Sequence, residues 1–355
     1  MGSTDPPTSL TQVALDKADW PLFTKAQLLE YFERIDLPQS HLESIVLQDG
    51  LQAGTVEYGL PLLQAIVRHH SSRVTFDNLV LHYSAHKTVT LDPVALFERI
   101  VRQKRGGRCM EQNSFLAAVL RSIGYEVRSG GGRVSRAMSP YPEVRQHQST
   151  TYDGWNHMLN LVRIGSEWHV VDVGMGSMGP NMVIPLRDGF ETTSIAPRLI
   201  RLQLRPIAES YASAPAAGGE GRPGPPLLWC YDCCYRPSES SPADNVWTPV
   251  YCFTEAEFLP QDYEMMSWFT STNPRSFFTR YVTCTKMLLD ESEEHVVGNL
   301  TLFVDTIRKQ VGATRSVEAE CKTEEARVKA LADVFGIVLT EDEVQGLPDD
   351  RKLQT

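Results

Sequence analysis

One cysteine stands where a nucleophile would be placed. It is Cys109, in the stretch RGGRCMEQNSFLAAVLRSIG that runs from Arg105 to Gly124. A thiolate attacks carbonyl carbon far better than a thiol. The apolar run after Cys109 predicts a helix whose first turn holds the cysteine, and the dipole and free N–H groups of a helix N-terminus favour an anion. Arg105 and Arg108 add positive charge nearby, and Gly106 and Gly107 let the chain turn sharply around the sulfur. The other reading of Cys109 is a buried structural thiol, the commoner setting of a free cysteine. Thiol catalysis also needs a base and a group to orient that base, and these come from elsewhere in the chain. Of nine histidines, His157 in GWNHMLNLV begins a strand just after a glycine-bearing turn. Asp172, fifteen residues on in EWHVVDVGMGS, ends an apolar strand before a glycine-rich turn. A hairpin turning near Gly165–Ser166 sets the two side by side, with Asp172 accepting the ring Nδ1–H and the other ring nitrogen taking the Cys109 proton. The plain alternatives are a satisfied, half-buried histidine and a turn-forming aspartate. His69 and His70 sit at a helix end, His147 lies in a polar loop, and His169 points away from Asp172 on an alternating strand.

The elements that must carry these residues change in character along the chain. The first third reads as helical. TKAQLLEYFERIDL has Leu28, Leu29, Phe32 and Ile35 at helical spacing after Thr24 as N-cap. GLPLLQAIVRHHSSRV is a second helix. LDPVALFERIVRQK is a third, capped by Asp92 with Pro93 at its first position. The helix after Cys109 is apolar on most sides and ends at Gly124, which suits a left-handed C-cap. From Tyr125 the runs are short and rich in β-branched and aromatic residues: YEVRSGGGRV, HMLNLVRI, EWHVVDVG, RLIRLQL, LLWCYDCCY and VWTPVYCF. They predict an antiparallel sheet or barrel, interrupted by two Pro/Gly/Ser-rich stretches, at 136–151 and 208–226, that read as mobile surface loops. The last part has strand-like FFTRYVTCTKML, HVVGNLTLFVDT and TRSVEAEC, then the helix EEARVKALADVF closed by Gly336.

Composition narrows the partners. The chain has 355 residues and a net charge of -10, which argues against nucleic acid as its main partner. The seven cysteines are odd in number and irregular in spacing, so no disulfide framework is expected and a reducing compartment is. Cys230 and Cys233 form a lone CxxC without a second ligand pair. That leaves zinc, or a buried strand whose small side chains happen to be thiols, and no metal is expected. The opening MGSTDPPTSL has no apolar core of a secretory leader, and no run approaches membrane-spanning length. A cytoplasmic location with no membrane partner is the expectation.

The three segments RGGRCMEQN, NHMLNLV and VDVGMGS, in that order, resemble the arylamine N-acetyltransferase family. Its RGGxCxExN-type motif is matched by Arg105, Gly106, Gly107, Cys109, Glu111 and Asn113. VTFDNLVLHYSAHKTVTLDPVALFERIV upstream and FTEAEFLPQDYEMMSWFTSTNPRSFFTRYV downstream extend the likeness over roughly residues 25–310. The resemblance implies an α+β fold with a cysteine-protease-like Cys-His-Asp core. It would have a helical bundle over 1–124 bearing the cysteine, a β-barrel over 125–255 bearing the histidine and aspartate, and an α/β lid over 256–355. It implies ping-pong transfer from acetyl-CoA, as co-substrate and not as a bound cofactor, to arylamines or arylhydrazines, a detoxifying chemistry. Cys109, His157 and Asp172 would be catalytic. Gly154, Gly174, Gly176 and Ser177 would meet the acyl-CoA, and Val134 and Met175 the acceptor. Met175 stands where the family usually has phenylalanine. Some fungal members with similar long loops prefer malonyl-CoA, whose extra carboxylate needs a cation. Arg108, where the family often has an aromatic residue, is the candidate for that cation; the other reading pairs it with a carboxylate at a domain interface, or leaves it solvated. Two rivals remain. A cysteine peptidase would use the same chemistry but lacks the papain-type C-G-S-C-W signature, and a non-catalytic binding protein would be expected to have lost a triad residue.

Overall fold

The computed structural model describes residues 23–46, 56–84, 86–210, 225–238 and 240–353. The chain opens with α1 (Lys25–Arg34), α2 (Gln39–Val46) and α3 (Val56–Arg73). Thr24 caps α1 through a reciprocal pair with Gln27. After the two-residue strand β1 (Phe76–Asp77) comes α4 (Pro93–Phe97), drawn out by one π-helical turn over Glu98–Arg102. Asp92 accepts from the Ala95 amide at 2.8 Å, with Pro93 next, as their types predict. Helix α5 (Cys109–Ser122) starts at the cysteine. Gly124 ends its turn at φ 91°.

An eight-stranded antiparallel sheet follows. Its strands are β2 (Glu126–Val134), β3 (His157–Ile164), β4 (Glu167–Val171), β5 (Ile184–Pro185), β6 (Glu191–Thr193), β7 (Leu199–Arg205), β8 (Leu228–Cys234) and β9 (Thr248–Glu257), with α6 (Pro142–Gln148) between β2 and β3. The order β5-β4-β3-β2-β9-β8-β7-β6 leaves β5 and β6 as free edges. The expected barrel is therefore a curled half-barrel: the sheet coils without closing. Strand β3 is buried on both faces. Val162 and Ile164 join α1, α3, α4 and α5 in one core, while Leu159 and Leu161 pack with Tyr231, Tyr251 and Phe253 in another. Burial on both sides suits a strand whose apolar residues, Met158, Leu159, Leu161, Val162 and Ile164, fall on both faces, with Arg163 alone exposed.

Helices α7 (Pro260–Thr272) and α8 (Phe277–Arg280) lead into a second antiparallel sheet of β10 (Thr283–Leu289), β11 (Val296–Phe303), β12 (Thr306–Val311) and β13 (Thr314–Glu320). Against it lies α9 (Glu324–Phe335), and α10 (Glu341–Gln345) comes last. Strand β1 pairs with β10, so the N-terminal segment contributes an edge to this sheet. No helix of the described residues is long and apolar enough to cross a membrane.

One expectation changes here, and two others meet the structure differently. The stretch 136–151 is not an irregular loop: it holds a 3-10 turn at Arg136–Met138 and helix α6. The second loop, 208–226, lies largely outside the described residues. Cys230 and Cys233 face opposite sides of β8. Cys230 packs with Tyr152 and Cys252, and Cys233 joins the core under β9, so the pair cannot chelate one ion.

A buried ion cluster fastens the C-terminal helix to the N-terminal segment. Arg327, 1% exposed, donates to Glu324 at 2.5 Å, to the Tyr83 hydroxyl at 2.8 Å and to the Val304 carbonyl at 3.0 Å. Arg327→Met leaves Glu324 buried without a counter-charge, so we expect a loss of about 3–5 kcal/mol in urea denaturation. The double variant Arg327→Met/Glu324→Met should regain most of it. Equal losses in both variants would show that packing, and not charge, is what Arg327 supplies.

Candidate active site

The loop before α5 is shaped by close approach. A Cβ on Gly106 would stand 1.8 Å from the Thr75 carbonyl oxygen, so no side chain fits. Gly107 donates to Thr75 O at 3.2 Å and accepts from Asp77 N at 3.0 Å. Gln112 then reaches back, its Nε2 donating to Gly107 O at 2.7 Å and to Thr75 O at 2.9 Å. These bonds hold the loop against β1 and deliver Cys109 to the first turn of α5, 7% exposed.

Asn113 lies one helical turn beyond Cys109 on the same face. Its Nδ2 donates to the Met158 carbonyl at 2.7 Å and to Asp172 Oδ1 at 3.0 Å, and its Oδ1 accepts from Val173 N at 3.2 Å. Asp172 also accepts from Gly174 N at 2.8 Å. Strands β3 and β4 form the expected hairpin, with Ile164 opposite Glu167 and Gly165 in the turn at φ 60°. His157 and Asp172 meet at 2.8 Å, both almost wholly buried.

The bonding nitrogen is Nε2, not the Nδ1 that the motif spacing suggests. His157 is the first residue of β3, and its ring enters between Asp172 and α5 so that the remaining nitrogen faces the Cys109 thiol. Burial opposes charge on this ring, but the Asp172 carboxylate and its hydrogen bond, with a smaller contribution from Cys109, raise the His157 pKa to about 10. Burial likewise opposes the charge on Asp172. His157, Asn113 and the Gly174 amide outweigh it and hold the carboxyl below its ordinary range. Tyr251 completes the wall, its ring centroid 4.9 Å from that of His157. Burial, then the Asp172 charge, pushes its hydroxyl well above the ordinary phenol value.

Cys109 and His157 line a cleft of about 740 Å³ between the half-barrel and the lid. Of the expected binding residues, Gly154, Gly174, Val134 and Met175 line it too. Gly176 and Ser177 do not. The chain turns away at Gly176 (φ 56°), which packs beside Phe76, and Ser177 lines a neighbouring cavity. Arg108 also departs from its expected role. Its side chain is 3% exposed and leaves the cleft for the bundle–lid contact. Its Nε pairs with Glu111 at 3.2 Å and its terminal nitrogens donate to Thr270 (3.2 Å), Ser267 (3.3 Å) and Ser271 (2.8 Å) of α7. Glu111 is shared with Arg99 at 3.2 Å. The carboxylate that Arg108 meets is thus a local one, on its own helix, and its contacts across to α7 are hydroxyls.

Reasoning from sequence missed several cleft residues: Phe76, Trp155, Phe277 and Phe278, Tyr141 on the segment leading into α6, and the cations Arg275 and Arg280. Only NPRSFFTR, with two arginines among aromatics, carried a signal.

A buried thiol, imidazole and carboxylate gathered at a cleft have the arrangement that nucleophilic acyl chemistry needs. A family model described as N-acetyltransferase matches residues 59–344. The chain belongs to the arylamine N-acetyltransferase family and is an acyltransferase. It is similar to N-malonyltransferase FDB2 of Fusarium pseudograminearum, with 62% identity over 98% of both chains. It is also similar to N-malonyltransferase FDB2 of Gibberella moniliformis, with 58% identity over 99% of this chain and all of that one. In fold it resembles the Mycobacterium marinum arylamine N-acetyltransferase solved with CoA, with a TM-score of 0.64 and 22% identity over 91% of this chain and 96% of that one.

Close packing around the thiol gives a test. A Cβ on Gly174 would stand 2.5 Å from both Cys109 Cα and Asn113 Nδ2. Gly174→Ala should therefore destabilise the protein by about 1–3 kcal/mol and slow alkylation of Cys109 in the folded state. Unchanged stability with unchanged alkylation would mean that the turn simply moves aside.

Proposed function

We propose that the chain is an N-malonyltransferase that passes a malonyl group from malonyl-CoA to an arylamine through a thioester on Cys109. The carrying observation is the buried Cys109–His157–Asp172 arrangement at the cleft floor, joined to full-length relatives that are N-malonyltransferases. On the motifs alone acetyl-CoA comes first, as the donor of most of the family. Relatives at 58% and 62% identity reverse that order. A cytoplasmic, reducing setting is part of this proposal, in keeping with the odd number and irregular spacing of the seven cysteines.

The chemistry follows from the residues. His157 carries the proton that leaves the Cys109 thiol, and Asp172 holds the resulting imidazolium. The sulfur attacks the donor's thioester carbonyl. The free N–H groups of the first turn of α5 face the developing oxyanion. The bond to the CoA sulfur breaks, and the CoA thiolate takes the proton from His157. In the second half the amine nitrogen attacks the Cys109 thioester. Its proton passes to His157, the bond to Cys109 breaks, and the proton returns to the thiol. An arylamine is a weak base, so it arrives neutral and nucleophilic at neutral pH.

The malonyl carboxylate needs a cation that is not already engaged. Arg108 is paired. Arg275 and Arg280 line the cleft without a carboxylate partner among the described residues. Arg280 is steadied by neutral acceptors, its Nε donating to Pro274 O at 2.7 Å and a terminal nitrogen to the Tyr141 hydroxyl at 3.4 Å. These arginines are the better candidates for donor choice.

Mass spectrometry of the intact protein after brief exposure to each donor tests the reading. We expect one malonyl group on Cys109, removed by an arylamine, and none on Cys109→Ser. Arg280→Met should raise KM for malonyl-CoA about tenfold or more and leave acetyl-CoA little changed. An equal rise for both donors would place Arg280 on the shared CoA moiety. If neither donor forms a thioester, the peptidase and binding-protein readings take over.

A pH profile tests the pair. With its pKa near 10, His157 stays protonated through neutral pH and loses its proton only as pH passes that value. While that charge is present, iodoacetamide should alkylate Cys109 faster in the parent protein than in His157→Gln. The difference should shrink as pH rises past the His157 value, because the parent ring then loses its charge too. Parallel profiles in the two proteins would separate His157 from the thiol.

A further inference from the structure

We propose that a second cavity, beside the acyl-transfer cleft, is an anion site built for a phosphate monoester. It measures about 640 Å³ and lies where the half-barrel meets the far hairpin of the lid sheet. Four arginines line it: Arg145 from α6, Arg198 just before β7, Arg236 just after β8 and Arg315 from β13. No aspartate or glutamate lines it among the described residues.

Arg198 is the strongest element. It is 7% exposed and has no carboxylate partner among the described residues. Its terminal nitrogens donate to Ser177 O at 2.7 Å, Gly179 O at 3.1 Å and Ser194 Oγ at 2.9 Å, while its Nε is buried without an acceptor. These neutral oxygens fix the guanidinium in place but do not cancel its charge, and a buried charge without a counter-ion is costly. Two of its neighbours are oriented in the same way. Arg145 donates to Ser139 O at 2.5 Å, and Arg315 Nε donates to Gln310 Oε1 at 2.9 Å. Each keeps nitrogens free for a ligand. Arg236 makes no hydrogen bond or ion pair among the described residues.

Like charges gathered around one cavity repel, and a multivalent anion relieves that repulsion. A monocarboxylate offers two oxygens and one charge. A phosphate monoester offers three terminal oxygens and nearly two charges, which fits several guanidinium forks at once. The cavity shares Met138, Ser139, Pro140 and Met178 with the cleft, so an occupant would lie alongside the acyl donor. The phosphate could be the donor's own 3′-phosphate or that of a separate small molecule.

The test uses the full chain and the double variant Arg145→Gln/Arg315→Gln, which spares the carbonyl-holding Arg198. Calorimetric titration with inorganic phosphate should show binding to the parent protein. It should be about tenfold weaker or worse in the variant, with an unchanged thermal midpoint. Equal phosphate binding by the two proteins, or none by the parent, overturns the site. Kinetics with malonyl-CoA and its 3′-dephospho form then identify the source. If removing the 3′-phosphate raises KM in the parent but not in the variant, the donor's own phosphate fills the site. If that KM ratio is the same in both while the variant has lost phosphate binding, a separate phosphate compound fills it. The titration is independent of acyl transfer, so it still reads out should no thioester form on Cys109.

Discussion

A carboxylate that must stay ionised in a water-free interior governs this structure. Asp172 is 2% exposed, and burial alone would protonate it. Three donors from three places keep it charged: His157 from the start of β3, Asn113 from α5 and the Gly174 amide from the turn after β4. Each bond also fixes a distance between elements. Asn113 is four residues past Cys109, so the helical repeat that lets its amide reach Asp172 also turns the thiol toward His157. Lose the carboxylate's charge and the ring has no anchor and the ring's proton no counter-ion, while α5 keeps only its other bonds to the hairpin, at Met158 and Val173.

A second buried electrostatic cluster works one turn away. Glu111, fully buried, bridges Arg99 and Arg108. Arg108 carries that link into α7 through Ser267, Thr270 and Ser271. Buried ion pairs contribute little net stability once desolvation is counted, but they are strict about geometry. Here the pair ties the residue just before the nucleophile to the lid. The cleft between bundle, half-barrel and lid is therefore set by the same residues that set the cysteine. Four letters of RGGRCMEQN therefore answer to specific contacts: Gly106 to lack of room, Gln112 to the loop carbonyls, Glu111 to its arginines and Asn113 to Asp172.

Local signals in the sequence carried a good deal of this. The caps Thr24, Asp92 and Pro93, the terminators Gly124 and Gly336, and the hairpin at Gly165 all act within a few residues, and their chemistry is readable there. What was not readable depended on distant partners. The two-residue strand β1 exists because β10 lies beside it, more than two hundred residues on. Helix α7 buries Tyr263, Met266, Ser267 and Thr270 while Met265, Trp268 and Phe269 face outward, so its apolar pattern misleads. The fate of Arg108 hinged on hydroxyls of that same helix. The choice of ring nitrogen on His157 depends on a side-chain rotation that residue spacing does not encode.

The division of labour that results bears on where acyl-group preference can reside. The motif residues are committed: their polar atoms are bonded to one another, and changing any of them disturbs the thiol. The variable walls of the cleft are not. Val134 and Met175 supply apolar surface from the half-barrel, α6 and its flanks come from the segment between β2 and β3, and Arg275 and Arg280 come from the lid. A thioether at Met175 is softer than an aromatic wall. Cations on the lid can meet a charged acyl group without touching the proton relay. On the proposed function, donor choice can change through the lid and the segment between β2 and β3 while Cys109, His157 and Asp172 keep one geometry.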